Sequence, residues 1–473
     1  MDINSQEHIK AIAPDVAKAY RLGKEQKYDE AYQTLLPLFE AKEVPSYFEE
    51  PCGWTIYRYL KNNESKLSSR EIRKALSYYL AFASCKPSNL HSCIMIQAAN
   101  LEKKHENDFR FIEFCLMWKL ESLREDDFVS EKVTTESGKS IEFQSLAENV
   151  ATRLYKELKK RHTEEFVNEL FPFFETVKEK CPNNRFIGMY IAQLYYWQGD
   201  TCRAITEYKA LLRTTPEWFI WKNLGDICED KEVRISLYCK AMTMMGKEEY
   251  IGELRLGLAN LLLDTNKEQS AYEIEQYVKT YKDNGWKIAG DVYLLQTKLS
   301  GVTPSAQAKQ FYRNNIEKAE EYAYSDIPVV ELIFTGIGTN HAGKERANLI
   351  NKQKKIFVRT SLMPLLRKAS VGDVFQVRVY DFNKRKIVLT IHPTDKKDCQ
   401  MGGNKKQHVN DTDVCTFSGK VSVPAQGEFC FIDHQYYVPE KLAKSNSLKE
   451  GDIVKAKAKK MPDGRWRVVS IIK

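Results

Sequence analysis

The sequence predicts an α+β multidomain fold: a long helical array followed by two small β-barrels. Three observations predict it. Apolar residues recur at helical spacing from about residue 8 to residue 322, broken by short polar turns. After that the spacing changes to period two, and the chain repeats itself. Ile356-Phe-Val-Arg-Thr-Ser-Leu, Val371-Gly-Asp-Val-Phe-Gln-Val-Arg-Val and Lys386-Ile-Val-Leu-Thr-Ile return about 80 residues later as Tyr436-Tyr-Val-Pro-Glu-Lys-Leu, Glu450-Gly-Asp-Ile-Val-Lys-Ala-Lys-Ala and Arg467-Val-Val-Ser-Ile. The charge changes at the same point. Residues 327–473 carry 27 Lys and Arg against 14 Asp and Glu, whereas residues 1–326 carry 45 against 50. The basic end is the one expected to meet a polyanion.

These shifts divide the chain into a divergent helical region (1–123), a polar loop (124–140), a repeated helical region (141–322), a first barrel (323–395), a basic flexible linker (396–412) and a second barrel (413–473). The loop is assigned because Arg124-Glu-Asp-Asp-Phe-Val-Ser-Glu-Lys-Val-Thr-Thr-Glu-Ser-Gly-Lys-Ser lacks helical periodicity. In the helical part, Ala19-Tyr-Arg-Leu-Gly-Lys-Glu-Gln-Lys-Tyr-Asp-Glu-Ala-Tyr reads as helix, tight turn, helix. Its turn, Lys27-Tyr28-Asp29-Glu30-Ala31, resembles that of a tetratricopeptide repeat. The resemblance strengthens over 185–246, where Ala204, Tyr208 and Leu211 lead to Pro216, and Trp221, Leu224 and Gly225 lead to Tyr238 and Ala241. Asp200 and Asp230 occupy equivalent turn positions. The resemblance implies an α-solenoid in which small residues let paired helices approach, aromatics fill the gaps, and a concave face docks a protein partner.

In the first β unit Phe375, Val377 and Val379 are expected to face a core, leaving Gln376, Arg378 and Tyr380 outward; in the next strand Ile387, Leu389 and Ile391 face inward. Gly372-Asp373 and Gly451-Asp452 turn the chain into the fourth strand of each copy. Five short strands with glycine corners suggest OB-type barrels. The second unit has Gly419-Lys-Val421-Ser-Val423, Phe429-Cys-Phe431-Ile432, Tyr436-Tyr437-Val438 and Leu448-Lys-Glu-Gly451 in series. In strand order and spacing this resembles a cold-shock domain. The resemblance implies an outward aromatic platform of Phe429, Phe431 and Tyr437 on which unpaired bases stack, with Lys420 beside it and Phe357 and Arg359 in the matching places of the first unit. Val423 and Pro424 replace two of the family's aromatics, Cys430 its glycine and Pro439 its histidine. An alternative orientation buries Phe429 and Phe431 and turns Cys430 and Ile432 outward.

Lys455, Lys457 and Lys459 share one face of a strand, and Arg465 and Arg467 continue the run. They read either as phosphate contacts or as charges guarding an exposed sheet edge. Gly338-Thr-Asn-His-Ala-Gly343-Lys344 begins like a P-loop but continues with Glu345 in place of a hydroxyl, and no metal-ligand or catalytic spacing appears elsewhere. No enzyme, cofactor or metal is therefore expected. Eleven cysteines without a CxxC pair, no apolar run near the ~18 residues of a membrane span, and no signal-peptide start together point to a reducing, cytoplasmic setting without membrane contact.

The order of parts, helical repeats before tandem cold-shock-like barrels, also resembles accessory proteins of prokaryotic TOTE-type conflict systems. That resemblance implies a role beside nucleic-acid-processing enzymes in defence against mobile elements. The expected activity is binding: a protein-docking scaffold joined to a two-barrel reader of single-stranded nucleic acid through residues 323–473, RNA favoured over DNA. A purely protein-binding adaptor is the rival reading, and a divergent nucleotide-dependent enzyme using Lys344 a third.

Overall fold

The computed structural model describes residues 6–104, 109–135, 138, 140–244, 247–339, 343–352, 354–383, 385–397, 414–424, 429–460 and 465–472. The chain divides into two units, Met1–Asp326 and Ile327–Lys473.

The first unit is built from α-helices: α1 (Gln6–Lys24), α2 (Tyr28–Ala41), α3 (Glu49–Asn62), α4 (Ser69–Phe82), α5 (Asn89–Lys104) and α6 (Phe111–Trp118), then α7 (Leu146–Arg161) to α17 (Ile316–Tyr324). Successive helices pair as hairpins, among them α9 (Ile187–Trp197) with α10 (Thr201–Thr214), α11 (Trp218–Ile227) with α12 (Lys231–Met244), and α13 (Gly252–Leu262) with α14 (Lys267–Asp283). The two equivalent aspartates act as helix caps. Asp200 accepts from the Arg203 amide at 3.0 Å, and Asp230 accepts from the Glu232 and Val233 amides at 2.8 and 3.0 Å. These bonds satisfy amides that no helical carbonyl reaches, and they hold the Asp230 carboxyl below its ordinary range.

Small residues set the helix spacing. A Cβ on Gly225 would lie 2.7 Å from the Tyr238 ring, and one on Gly257 would approach the same ring to 2.9 Å. Tyr238 is thus clasped between α11 and α13, and its hydroxyl donates to Asp226 at 2.5 Å. Tyr208 is fully buried one hairpin earlier, with its hydroxyl on Gln193 at 3.0 Å. No described helix is long and apolar enough to cross a membrane.

Residues 124–140 correct the expectation of a loop. A short 3₁₀ turn (Glu125–Phe128) leads into β1 (Glu131–Thr134), which pairs antiparallel with β2 (Ser140–Phe143). All eight strand residues are exposed. Three of the eight are charged, Glu131, Lys132 and Glu142, and with neither face buried the pairing leaves no apolar face to mark it in the sequence.

In the second unit, β3 (Val329–Thr339), β4 (Glu345–Ile350), β5 (Lys355–Arg359), β6 (Asp373–Phe382) and β7 (Arg385–Lys397) form a sheet in the order β5-β4-β3-β6-β7. The second copy comprises β8 (Val414–Ser422), β9 (Cys430–Ile432), β10 (Tyr436–Val438), a short helix α18 (Glu440–Ser445), β11 (Ile453–Lys460) and β12 (Trp466–Ile472). Its order is the same, but β10 also pairs parallel with β12, which closes the barrel. Among the described residues the first copy lacks the pairing of third strand with fifth and stays an open sheet. The repeated Gly-Asp corners match bond for bond. Gly372 (φ 95°) donates to Phe334 and Gly451 (φ 89°) to Val421, each at 2.9 Å. Asp373 and Asp452 each accept, at 2.7 Å, the amide three residues earlier.

Leu332, Phe334, Leu349, Ile356, Phe375 and Val377 form the core of the first copy. A register shift between Arg378 and Val379 breaks the expected alternation on β7. Val388, expected outward, comes opposite Val379 and packs on the core, while Ile387 pairs with Tyr380 and Thr390 is buried opposite Arg378. One extra residue in a strand moves everything beyond it to the other face.

Gly225→Ala is expected to destabilise the helical unit by ~1–3 kcal/mol through overpacking against Tyr238. Urea denaturation of the single and double variants checks this: the penalty shrinks in a Tyr238→Leu background, because the ring that creates the clash is gone.

Candidate nucleic-acid interface

The second copy orients its strands by what must be buried. Cys430, Ile432, Val438, Val421, Ala456, Ala458 and Val468 form the barrel core. Their sequence neighbours are therefore turned to the outer wall. That disposes of the alternative in which Cys430 and Ile432 face solvent. Phe429 and Phe431 are half-buried, and Tyr437 is 36% exposed. The three rings form a triangle with centroids 5.8, 5.7 and 5.9 Å apart. Those separations lie in the ordinary range for interacting aromatics.

The register carries charge up to this triangle. Ser422 pairs with Phe431, Phe431 with Tyr437, Tyr437 with Arg467, and Arg467 with Lys459. Partners across a ladder share a face, so these five residues make one outward row over five strands. Arg467 and Lys459 are both exposed. Lys457 and Lys455 extend the charge along β11, and exposed Lys420 lies two residues from Ser422 on the other flank. Arg465, also exposed, immediately precedes β12. Strand β11 is paired on both sides, with β8 and β12. Its lysines guard no edge, which removes the edge-protection reading of that run.

The turn between β9 and β10 is pinned from beneath. Asp433 and His434 both take positive φ, 50° and 55°, and the Gln435 amide donates back to Ile432 at 3.2 Å. Asp433 accepts the Lys420 amide at 2.8 Å and donates its own amide to the Lys420 carbonyl at 2.9 Å. A Cβ on Gly419 would fall 2.2 Å from the Asp433 carboxylate, so only glycine leaves room for this fastening. His434 Nδ1 lies 3.3 Å from the Ser422 hydroxyl, which puts an imidazole at the end of the row that the spacing of histidines had not signalled. Phe417, Tyr436 and Trp466 pack against the core, with Phe417 stacked on Tyr436 at 3.7 Å. Trp466 is thus inner wall, although it lies between two outward arginines.

The first copy gathers a smaller group. Phe357 is 53% exposed on β5, between Lys355, whose ammonium is 5.3 Å from the ring centroid, and exposed Arg359. Phe357 pairs with Asn348 and Arg359 with Arg346, which bring Gly336 and Gly338 into the same rows. Arg378 does not join it. Its side chain is buried, 7% exposed, and its guanidinium donates to the Ile327 carbonyl. The alternation assigns a polar residue outward, but this arginine is buried locally, where it satisfies a backbone carbonyl. A strand, β4, rather than a phosphate-binding helix follows Lys344. Most of the basic linker lies outside the described residues.

Residues 415–471 match the family model described as S1/CSD-like domain 2 of the TOTE conflict systems, and residues 185–319 match a domain of unknown function, DUF7017. No curated protein matches the chain. Among solved structures, a human IFIT1 dimer with PPP-AAAA aligns over 65% of this chain and 70% of that chain, at 12% identity and a TM-score of 0.29. A score that low carries no argument about fold or ligand.

Arg378→Met is expected to lower the stability of the β unit by ~1–3 kcal/mol, the cost of leaving the buried Ile327 carbonyl unpaired. Thermal unfolding measures this. Nucleic-acid affinity at a temperature where the variant is folded should be unchanged.

Proposed function

We propose that this protein is a non-enzymatic adaptor: its helical unit docks a protein partner, and its β unit binds single-stranded nucleic acid, RNA in preference to DNA. The observation that carries the reading is the outward row from Phe431 through Tyr437 and Arg467 to Lys459, with Phe429 completing the aromatic triangle. Aromatics offer stacking faces to unpaired bases, and the adjoining cations neutralise the phosphates that follow them. The match of residues 415–471 to an S1/CSD-like domain agrees with a nucleic-acid ligand. The first copy acts as a second, barrel-like contact through Phe357 and Arg359. The helical hairpins act as a tetratricopeptide-like solenoid. A cleft of about 500 Å³ beside α6 and α8 (Glu164–Lys180) offers a partner apolar walls at Leu116, Leu120 and Phe173, with Glu121 and Glu169 at its border. The setting we infer is an accessory role in a prokaryotic defence system.

Binding of the full-length protein to single-stranded RNA and DNA, followed by fluorescence anisotropy across a salt series, tests this reading. Phe431→Ala/Tyr437→Ala should weaken binding by ~1–3 kcal/mol for each base that loses its stack. Replacing Lys455, Lys457 and Lys459 by alanine should flatten the salt dependence by about 0.7 in log–log slope for each phosphate no longer neutralised. Absence of binding to either strand at low salt overturns the proposal.

A further inference from the structure

The helical unit contains a basic cavity that the nucleic-acid reading does not use. The end of α12, the 3₁₀ turn Glu248–Tyr250, α13, α14 and α16 (Ala308–Asn314) enclose about 320 Å³, within the size range of small-ligand sites. Its lining includes four cationic side chains, Lys247, Arg255, Lys309 and Arg313, and a single carboxylate, Glu248.

That carboxylate is already committed. Arg255, 4% exposed, donates to Glu248 at 2.6 and 3.1 Å and, on its other side, to the fully buried Glu273 at 2.5 Å. Glu273 also receives the Gln269 amide at 2.8 Å and the Tyr312 hydroxyl. One guanidinium therefore holds two carboxylates in a fixed network at the floor. Among the described residues no carboxylate pairs with Lys247, Lys309 or Arg313. Burial of ions is costly unless their charges are matched, as the Arg255 guanidinium and its two carboxylates are here, and such a paired network is stiff. Of the three remaining cations, Lys309 and Arg313 lie one turn apart on α16 and Lys247 precedes the 3₁₀ turn, so all three border one concavity.

We propose that this cavity binds a phosphate-bearing anion, with Lys247, Lys309 and Arg313 around the phosphoryl oxygens and Tyr272 and Tyr312 forming the wall. An arginine presents two parallel donors that fit a phosphate, and flanking lysines add charge without demanding geometry. The volume suits a short phosphate chain, either that of a free nucleotide or the phosphorylated 5′ end of a strand. The site is independent of the barrel, so each can fail without the other.

Titration calorimetry on the full-length protein decides it, with tripolyphosphate and ATP as probes. Two oligonucleotides differing only in a 5′-phosphate or 5′-hydroxyl are compared in the Phe431→Ala/Tyr437→Ala background, which removes two of the three platform rings. Lys309→Ala/Arg313→Ala, both exposed positions, should bind tripolyphosphate at least tenfold more weakly, while Lys18→Ala/Arg21→Ala on α1 binds it unchanged. Tighter binding of the 5′-phosphorylated oligonucleotide, abolished in Lys309→Ala/Arg313→Ala, identifies a strand end. ATP binding with no difference between the two oligonucleotides identifies a free nucleotide. No binding of any phosphate probe at millimolar concentration overturns the proposal, as does equal weakening by the α1 pair.

Discussion

The β region depends on one corner, built twice. A Gly-Asp pair brings the chain into the fourth strand. The glycine amide ties that entry to the first strand, Gly372 to Phe334 and Gly451 to Val421, both at 2.9 Å. Positive φ at the glycine is what aims the amide back, and the following aspartate closes the turn through its carboxylate. The first strand is thereby held against the fourth, the pairing that places β6 beside β3 and β11 beside β8. Every outward residue of the candidate interface takes its position from that register. The two copies thus share a frame and differ in the side chains they display.

The difference follows from closure. In the second copy, parallel pairing of β10 with β12 puts Tyr437 beside Arg467. Aromatic and cationic residues that are 30 positions apart in the chain thus become adjacent strands of one wall. In the first copy the third and fifth strands are not joined among the described residues. There Phe357 has only the cations of its own hairpin around it, Lys355, Arg359 and Arg346.

Legibility in the sequence tracks how much of each strand is buried. Phe375, Val377 and Val379 were readable because β6 has a fully apolar inner face. The two corners were readable because a repeated Gly-Asp has few other uses. On β7 the periodicity failed at the shift between Arg378 and Val379, since a bulge leaves no mark in composition. Arg378 itself misled because alternation ranks residues by polarity, whereas a buried guanidinium needs only an acceptor, here the Ile327 carbonyl. The 131–143 hairpin was invisible for the converse reason: strand pairing without burial leaves charges on both faces. The platform triangle could be inferred from strand order, but its orientation could not. Cys430 and Phe431 are both credible core residues, and what decides between them is which of the two fits inside a small barrel.

Magnitudes indicate what kind of reader such a surface makes. Stacking contributes ~1–3 kcal/mol per base, so two or three exposed rings account for weak binding at most. The cations must supply the remainder, and their contribution falls as salt rises. Neither contribution distinguishes one base from another, because every base has a π-face and every nucleotide a phosphate. Base selection requires donors or acceptors fixed against base edges. Beside the rings the outward row offers the Arg467 guanidinium, a donor to base edges as well as to phosphates, and at one end the Ser422 hydroxyl against the His434 imidazole. So few polar groups make a surface that would follow a strand with little sequence preference. On the proposed reading, selectivity for a target comes from the partner docked on the helical unit, and the excess of basic charge on the β unit fits that division, since it would attract any unpaired strand such a partner presents.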